Sequence, residues 1–188
     1  MKAKLTVSLA ALLLLAACNS KNKDEKTTPQ QNNYSVKEDV RSDGRFVREM
    51  TAINTASIQL GKLMQKNASQ PETKSIARMV INDHGQAGND LTNLAKESEV
   101  IIPDKIILPE QKQYKILLTK SGDEFDEASL AALTQVQQSA ITKIENEMNY
   151  GQNILLKKWA GEVLSQFRFH LEMTQQVKDA LKNKMAGL

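Results

Sequence analysis

Four long stretches of this chain repeat an apolar residue at every seventh position, and each repeat is interrupted once by a polar side chain. The first carries Phe46, Ile53 and Leu60, with Met50, Ser57 and Met64 as the alternate row. The second carries Ala77, His84 and Leu91, the third Leu130, Gln137 and Ile144, and the fourth Leu156, Val163, His170 and Val177. A seven-residue interval returns a side chain to the same face of an α-helix, so each row predicts an amphipathic helix with one buried seam. Ser57, His84, Gln137 and His170 are therefore expected to point inward and to give the core a polar layer.

Composition agrees with an all-α chain. With 4 prolines, 8 glycines and few aromatics against abundant Leu, Ala, Lys, Glu and Gln, helix is favoured over sheet. A length of 188 residues suits one domain once the ends are set aside. The boundaries follow from local punctuation. The first helix is expected from Ser42 or Asp43, both good caps, to Asn67. Ser69-Gln70-Pro71-Glu72 then reads as a capping box with proline in the first turn, opening a helix that reaches Ser98. The run Val100-Ile101-Ile102-Pro103-Asp104 breaks the helical pattern and starts a crossover holding a short helix from Pro109 to Lys120. Gly122 and Asp123 open the third long helix, whose stripe holds Phe125, Leu130, Leu133, Val136, Ala140, Ile144 and Met148. Gly151 ends it, Asn153 caps the fourth, and that one runs from Ile154 to Asn183. Two antiparallel hairpins joined by a crossover make a four-helix bundle.

The heights of the four polar residues follow by counting from the turns. Ser57 lies 13 residues before position 70 and His84 lies 14 after it; Gln137 lies 15 before position 152 and His170 lies 18 after it. At about 1.5 Å per residue each pair agrees to about one turn. The third helix can also be phased with Val136 inward in place of Gln137, and the level of one hairpin against the other is not set by spacing.

The amino terminus has a separate purpose. Lys2 and Lys4 precede an apolar run from Leu5 to Leu15, the layout of a secretory signal and too short for a membrane span. Leu15-Ala16-Ala17-Cys18 resembles the lipobox of bacterial lipoproteins, in which the cysteine is acylated and becomes the mature amino terminus. The alternatives are an ordinary cleaved signal with a chance cysteine, or an uncleaved anchor. One acyl chain holds a protein only marginally, at about 0.8 kcal/mol per buried methylene, so the two or three chains of a lipoprotein imply lasting attachment. Asn19 after the cysteine resembles outer-membrane sorting signals of some two-membrane bacteria. Cys18 is the only cysteine, which excludes an intrachain disulfide. Residues 18–37 are polar, with Pro29 and almost nothing apolar, and are expected to form a flexible tether; the charges from Lys21 to Lys26 are alternatively a surface-export signal. The folded domain is expected at 38–188. Of 25 basic residues, Lys2 and Lys4 belong to the signal, leaving 23 against 22 acidic ones, a balance that gives no reason to expect nucleic acid.

The stretch Ala56-Ser57-Ile58-Gln59-Leu60-Gly61-Lys62-Leu63, with Ala77-Arg78-Met79-Val80-Ile81-Asn82-Asp83-His84, resembles the DUF4142 family. Phe125-Asp126, Trp159-Ala160, Phe167 and His170-Leu171 add to the likeness, which covers roughly residues 42–184; its most specific part is Met79-Val80 with Asp83-His84 after Pro71-Glu72. The resemblance implies export, an outer-membrane association and a ferritin-like four-helix bundle with one crossover, and it implies no established activity. The family pattern commonly has Glu where this chain has Ser57, a second Asp-His pair where it has Val136-Gln137, and a proline where it has Ser165. Ferritin-like carboxylate sites need Glu-x-x-His on two helices. Ile81 and Phe167 stand three residues before His84 and His170, so the di-iron signature is absent.

Three roles are open for His84 and His170: neutral core histidines bonded to Ser57, Gln137 or a trapped water; a mononuclear transition-metal site joined by Asp83 or another carboxylate; or a pH-sensitive layer. Asp83 either orients a ring or faces solvent, with solvent the simpler reading. No serine elbow or phosphate loop is present, and Cys18 is expected to carry lipid, so nucleophilic catalysis finds no support. Trp159, Phe167 and Met148 have core spacing. Lys157, Lys158, Lys178, Lys182 and Lys184, interspersed with acids, read as a solvated face. The expectation is a non-enzymatic lipoprotein of the cell envelope, facing the periplasm or the cell surface, without cofactor, whose partners are the membrane and an envelope protein or polymer. The alternative is a ferritin-like metal-binding or oxidoreductase module using the His84/His170 layer.

Overall fold

A computed structural model describes residues 29–98, residue 100 and residues 111–187, and within them the chain is all-helical. Five helices follow one another: α1 (Pro29–Asn67), α2 (Pro71–Glu97), α3 (Gln111–Leu117), α4 (Gly122–Tyr150) and α5 (Ile154–Met185). The expected signal at 1–17, Cys18, the tether as far as residue 28 and positions 101–110 of the crossover lie outside the described residues.

The first helix is longer than its punctuation suggested. It begins at Pro29, so the tether expected to reach residue 37 gives way to helix after residue 28, and neither Ser42 nor Asp43 is its cap. Proline is at home in a first helical turn, and neither glycine nor a second proline follows before Gly44. The other boundaries fall within a few residues of expectation. Asn153 caps α5 as predicted, its side-chain oxygen accepting from the Leu155 and Leu156 N–H groups.

Short turns fold α1 back on α2 and α4 back on α5, and the hairpins join through α1 against α4 and α2 against α5. Gly61 permits the close α1–α2 approach, because a Cβ there would stand 2.9 Å from Ile81 Cγ1. Ser98 hydrogen-bonds Asn153, while Asp123 accepts from Ser69, so the crossover connects opposite ends of the bundle. α3 rests on α4, with Leu117 buried.

The apolar interior falls into two clusters. One is built around Phe46, Met50, Ile53, Leu91, Trp159 and Phe167, the other around Leu60, Met64, Val80, Phe125, Leu130 and Leu133. Between them, along α1, α2 and α5, lie Asn54 and Ser57, His84, and His170 with Thr174, all buried. On α4 the second cluster ends at Leu133 and the first begins at Val136, beside Gln137. The polar layer thus divides the core.

A constant interval relates the two hairpins. Asp43 in α1 accepts from the backbone N–H groups of Gln152 and Asn153 in the α4–α5 turn, at 3.1 and 2.9 Å. Asp126 in α4, 83 positions later, accepts from those of Ser69 and Gln70 in the α1–α2 turn, themselves 83 positions before Gln152 and Asn153. The same interval maps buried Met50, Ile53 and Asn54 onto Leu133, Val136 and Gln137, and buried Thr73, Ala77, Val80 and Ala87 onto Leu156, Ala160, Val163 and His170. Each hairpin pins the other's turn with an aspartate. Asp126 does so most fully, taking Ser69 Oγ at 2.6 Å in addition. This clasp replaces the expected capping box: Gln70 is the residue before α2 and no side chain of its own hairpin caps the helix.

Candidate functional site

Ser57, His84, Gln137 and His170 are each fully enclosed, at 0% exposure, as their seam positions predicted. Val136, offered as the inward alternative to Gln137, is buried too at 8%, because α4 presents both to the core.

The hydrogen bonds differ from those expected. His84 does not pair with Ser57 or Gln137: its Nδ1 lies 2.9 Å from Asn54 Oδ1, a residue one turn before Ser57 on the same helix. His170 Nε2 lies 2.7 Å from Asp83 Oδ2. Asp83 therefore orients a ring, and it is the ring of α5 rather than that of its own neighbour His84; simple solvation is corrected, though a third of its side chain stays exposed. The two imidazoles face each other across α2 and α5 with centroids 5.6 Å apart and planes tilted by 35°. Phe167 closes the layer from below, its ring edge-on to His84 at 4.6 Å.

Both rings are neutral. Burial drives the His84 pKa down to about 3, helped by the proximity of His170. Burial also lowers that of His170, against the opposing pull of Asp83. A carboxylate only accepts, so His170 carries its proton on Nε2 and presents a lone pair at Nδ1. Asn54 Oδ1 likewise only accepts, which places the His84 proton on Nδ1 and the lone pair on Nε2. Neither lone pair meets a protein donor, and Asn54 Nδ2, Ser57 Oγ and both polar atoms of the Gln137 side chain are also buried without a protein partner. Such a concentration in one layer is unusual, since each unsatisfied buried group costs about 1–3 kcal/mol.

Sequence reasoning missed Asn54, although its position one turn before Ser57 on the seam edge was the available signal. It also missed the clasps at Asp43 and Asp126, visible only as acidic residues at inward positions. Among the described residues no three His, Cys, Asp or Glu side chains gather into a metal-binding cluster. Ile81 and Phe167 occupy the positions where a ferritin-like di-iron site places carboxylates, so the donor set of this layer does not fit that centre.

A helical bundle whose histidines lie on its second and last long helices is what the likeness in the sequence implied, and comparison decides the matter. The model of DUF4142, a domain of unknown function, matches residues 25–177. The chain belongs to the DUF4142 family. The match takes in all four long seams, the Asp83-His84 pair and both aspartate clasps. No curated protein and no solved structure matches the chain significantly.

Proposed function

We propose that this DUF4142 protein is a bacterial cell-envelope lipoprotein. Acylated Cys18 moors it to the outer membrane, and its ferritin-like four-helix domain binds an envelope protein or polymer, or braces the envelope, without turning over a substrate. The observation that carries the location is the coincidence of Lys2 and Lys4, the apolar run from Leu5 and the sequence Leu15-Ala16-Ala17-Cys18 at the sole cysteine. No described helix is long and apolar enough to cross a membrane. A non-enzymatic role is supported by where the reactive groups sit. A general acid or base must reach its substrate, and His84 and His170 are wholly enclosed among packed helices.

Mass analysis of the mature protein tests the anchor. The expected product begins at Cys18 and carries the mass of its acyl chains, and Cys18→Ser releases the protein from the membrane fraction. A variant that still fractionates wholly with membranes contradicts the proposal.

A further inference from the structure

The polar layer holds two imidazoles in a particular state. Each has one nitrogen fixed by an oxygen, Asn54 Oδ1 for His84 and Asp83 Oδ2 for His170, and the other nitrogen buried without a protein partner. Proteins orient metal-binding histidines in this manner: the remote N–H is tied to a carboxylate or amide oxygen, which sets the tautomer and makes the free nitrogen a better donor. Imidazole nitrogens bind transition ions at about 2.0–2.1 Å and each nitrogen lies about 1.2 Å from its ring centre, so one ion held in line by two rings sets their centroids about 6 to 6.5 Å apart, and a bent arrangement brings them closer. His84 and His170 stand at 5.6 Å. Gln137 and Ser57, buried in the same layer with side-chain atoms lacking a protein partner, supply further neutral polar groups.

We propose that His84 Nε2 and His170 Nδ1 ligate a single copper(I) ion between α2 and α5. Two strong donors are too few for the usual zinc site, which takes three or four protein ligands. Copper is well served by imidazole, and its monovalent ion accepts two-coordinate binding. Charge points the same way. The anion in contact with the two rings is Asp83, through His170, and one carboxylate offsets one positive charge. A divalent ion would leave an unmatched positive charge between two fully enclosed rings, which burial penalises. This site is independent of the lipid anchor, since none of its residues belongs to the signal or is Cys18.

The test uses the full chain with Cys18→Ser, purified in detergent, so that no thiol competes. Copper(I) alone is titrated without oxygen against a chromophoric chelator, and X-ray absorption reads the ligands. The expected result is one ion per chain with imidazole scattering from two ligands, and affinity falling about 100-fold or more in His84→Leu and in His170→Leu. Should either leucine variant fail to fold by circular dichroism, Asp83→Asn keeps the question open to decision. Its side chain reaches the surface, and it should fold normally while binding about 10- to 100-fold more weakly. Absence of stoichiometric copper(I) binding by the folded parent, or binding that Asp83→Asn leaves unchanged, overturns the proposal. Zinc(II) bound as tightly as copper(I) overturns the charge argument and the metal assignment with it.

Discussion

The two turns that close the hairpins are built alike but have different neighbours. At the α1–α2 turn, Asp126 clasps Ser69 and Gln70, and the neighbouring positions are Met64 and Ala68. At the α4–α5 turn, Asp43 clasps Gln152 and Asn153, and the positions 83 residues beyond Met64 and Ala68 are Glu147 and Gly151. Glu147 is buried, at 5% exposure. Its pKa is pushed up to about 7, first by burial, then by the neighbouring Asp43 carboxyl. The glutamate also accounts for the glycine, because a Cβ at position 151 would lie 2.4 Å from Glu147 Oε1. The Glu147 carbonyl oxygen, 2.6 Å from the same Cβ, adds a backbone reason for glycine at this turn. One clasp therefore has a second buried acid beside its aspartate, and the other has an apolar side chain in that place.

The largest effect should come from the aspartates. Asp126→Ala strips four hydrogen bonds from one carboxylate, at Ser69 N (both oxygens), Ser69 Oγ and Gln70 N, and should destabilise by about 4 kcal/mol in urea unfolding. Asp43→Ala should lose about 2 kcal/mol, because it gives up fewer bonds and relieves Glu147 of an acidic neighbour. Equal losses would break the contrast between the turns.

The pH dependence comes next. Glu147, raised from 4.5 to about 7 on folding, contributes stability that is fully present below pH 4.5 and is lost as pH rises through 7. His84, lowered from 6.5 to about 3, contributes stability that is present above pH 6.5 and is lost as pH falls toward 3. Between pH 4.5 and 6.5 their slopes oppose each other. Glu147→Met, which copies the other hairpin, should remove one slope, so that stability rises by about 2–3 kcal/mol more steeply across that window than in the parent. Identical profiles for parent and variant would show that Glu147 does not carry this slope.

The smallest effect is a rescue. Gly151→Ala should cost about 1–3 kcal/mol by pressing its methyl group on the Glu147 carboxyl and on the residue-147 carbonyl oxygen, and Glu147→Met with Gly151→Ala should recover only the side-chain part of that loss. Thermal unfolding of the two single variants and the double variant measures the coupling.

The seven-residue rows made the helices and the inward direction of Ser57, His84, Gln137 and His170 legible, because helix periodicity is a local property of the chain. Partner choice was not legible. His84 meets Asn54 rather than Ser57, and His170 meets Asp83 from another helix, because the rotation of each helix about its axis decides between neighbours one turn apart. The start of α1 was misplaced since Ser42 and Asp43 look like caps; Asp43 instead serves a turn more than a hundred residues away, which no local pattern reveals. The 83-residue correspondence escaped notice because it is kept in burial and hydrogen bonding more than in residue identity: Met64 answers to Glu147, and Ala87 to His170.

The central claim is that two neutral imidazoles with opposite tautomers meet in a dry layer of the bundle. Nitrogen-15 NMR of the histidine rings across pH reads it directly. The account predicts a proton on Nδ1 of His84 and on Nε2 of His170, with His84 staying neutral at pH 5. A His84 ring that titrates near its ordinary 6.5, or two rings sharing one tautomer, would contradict it.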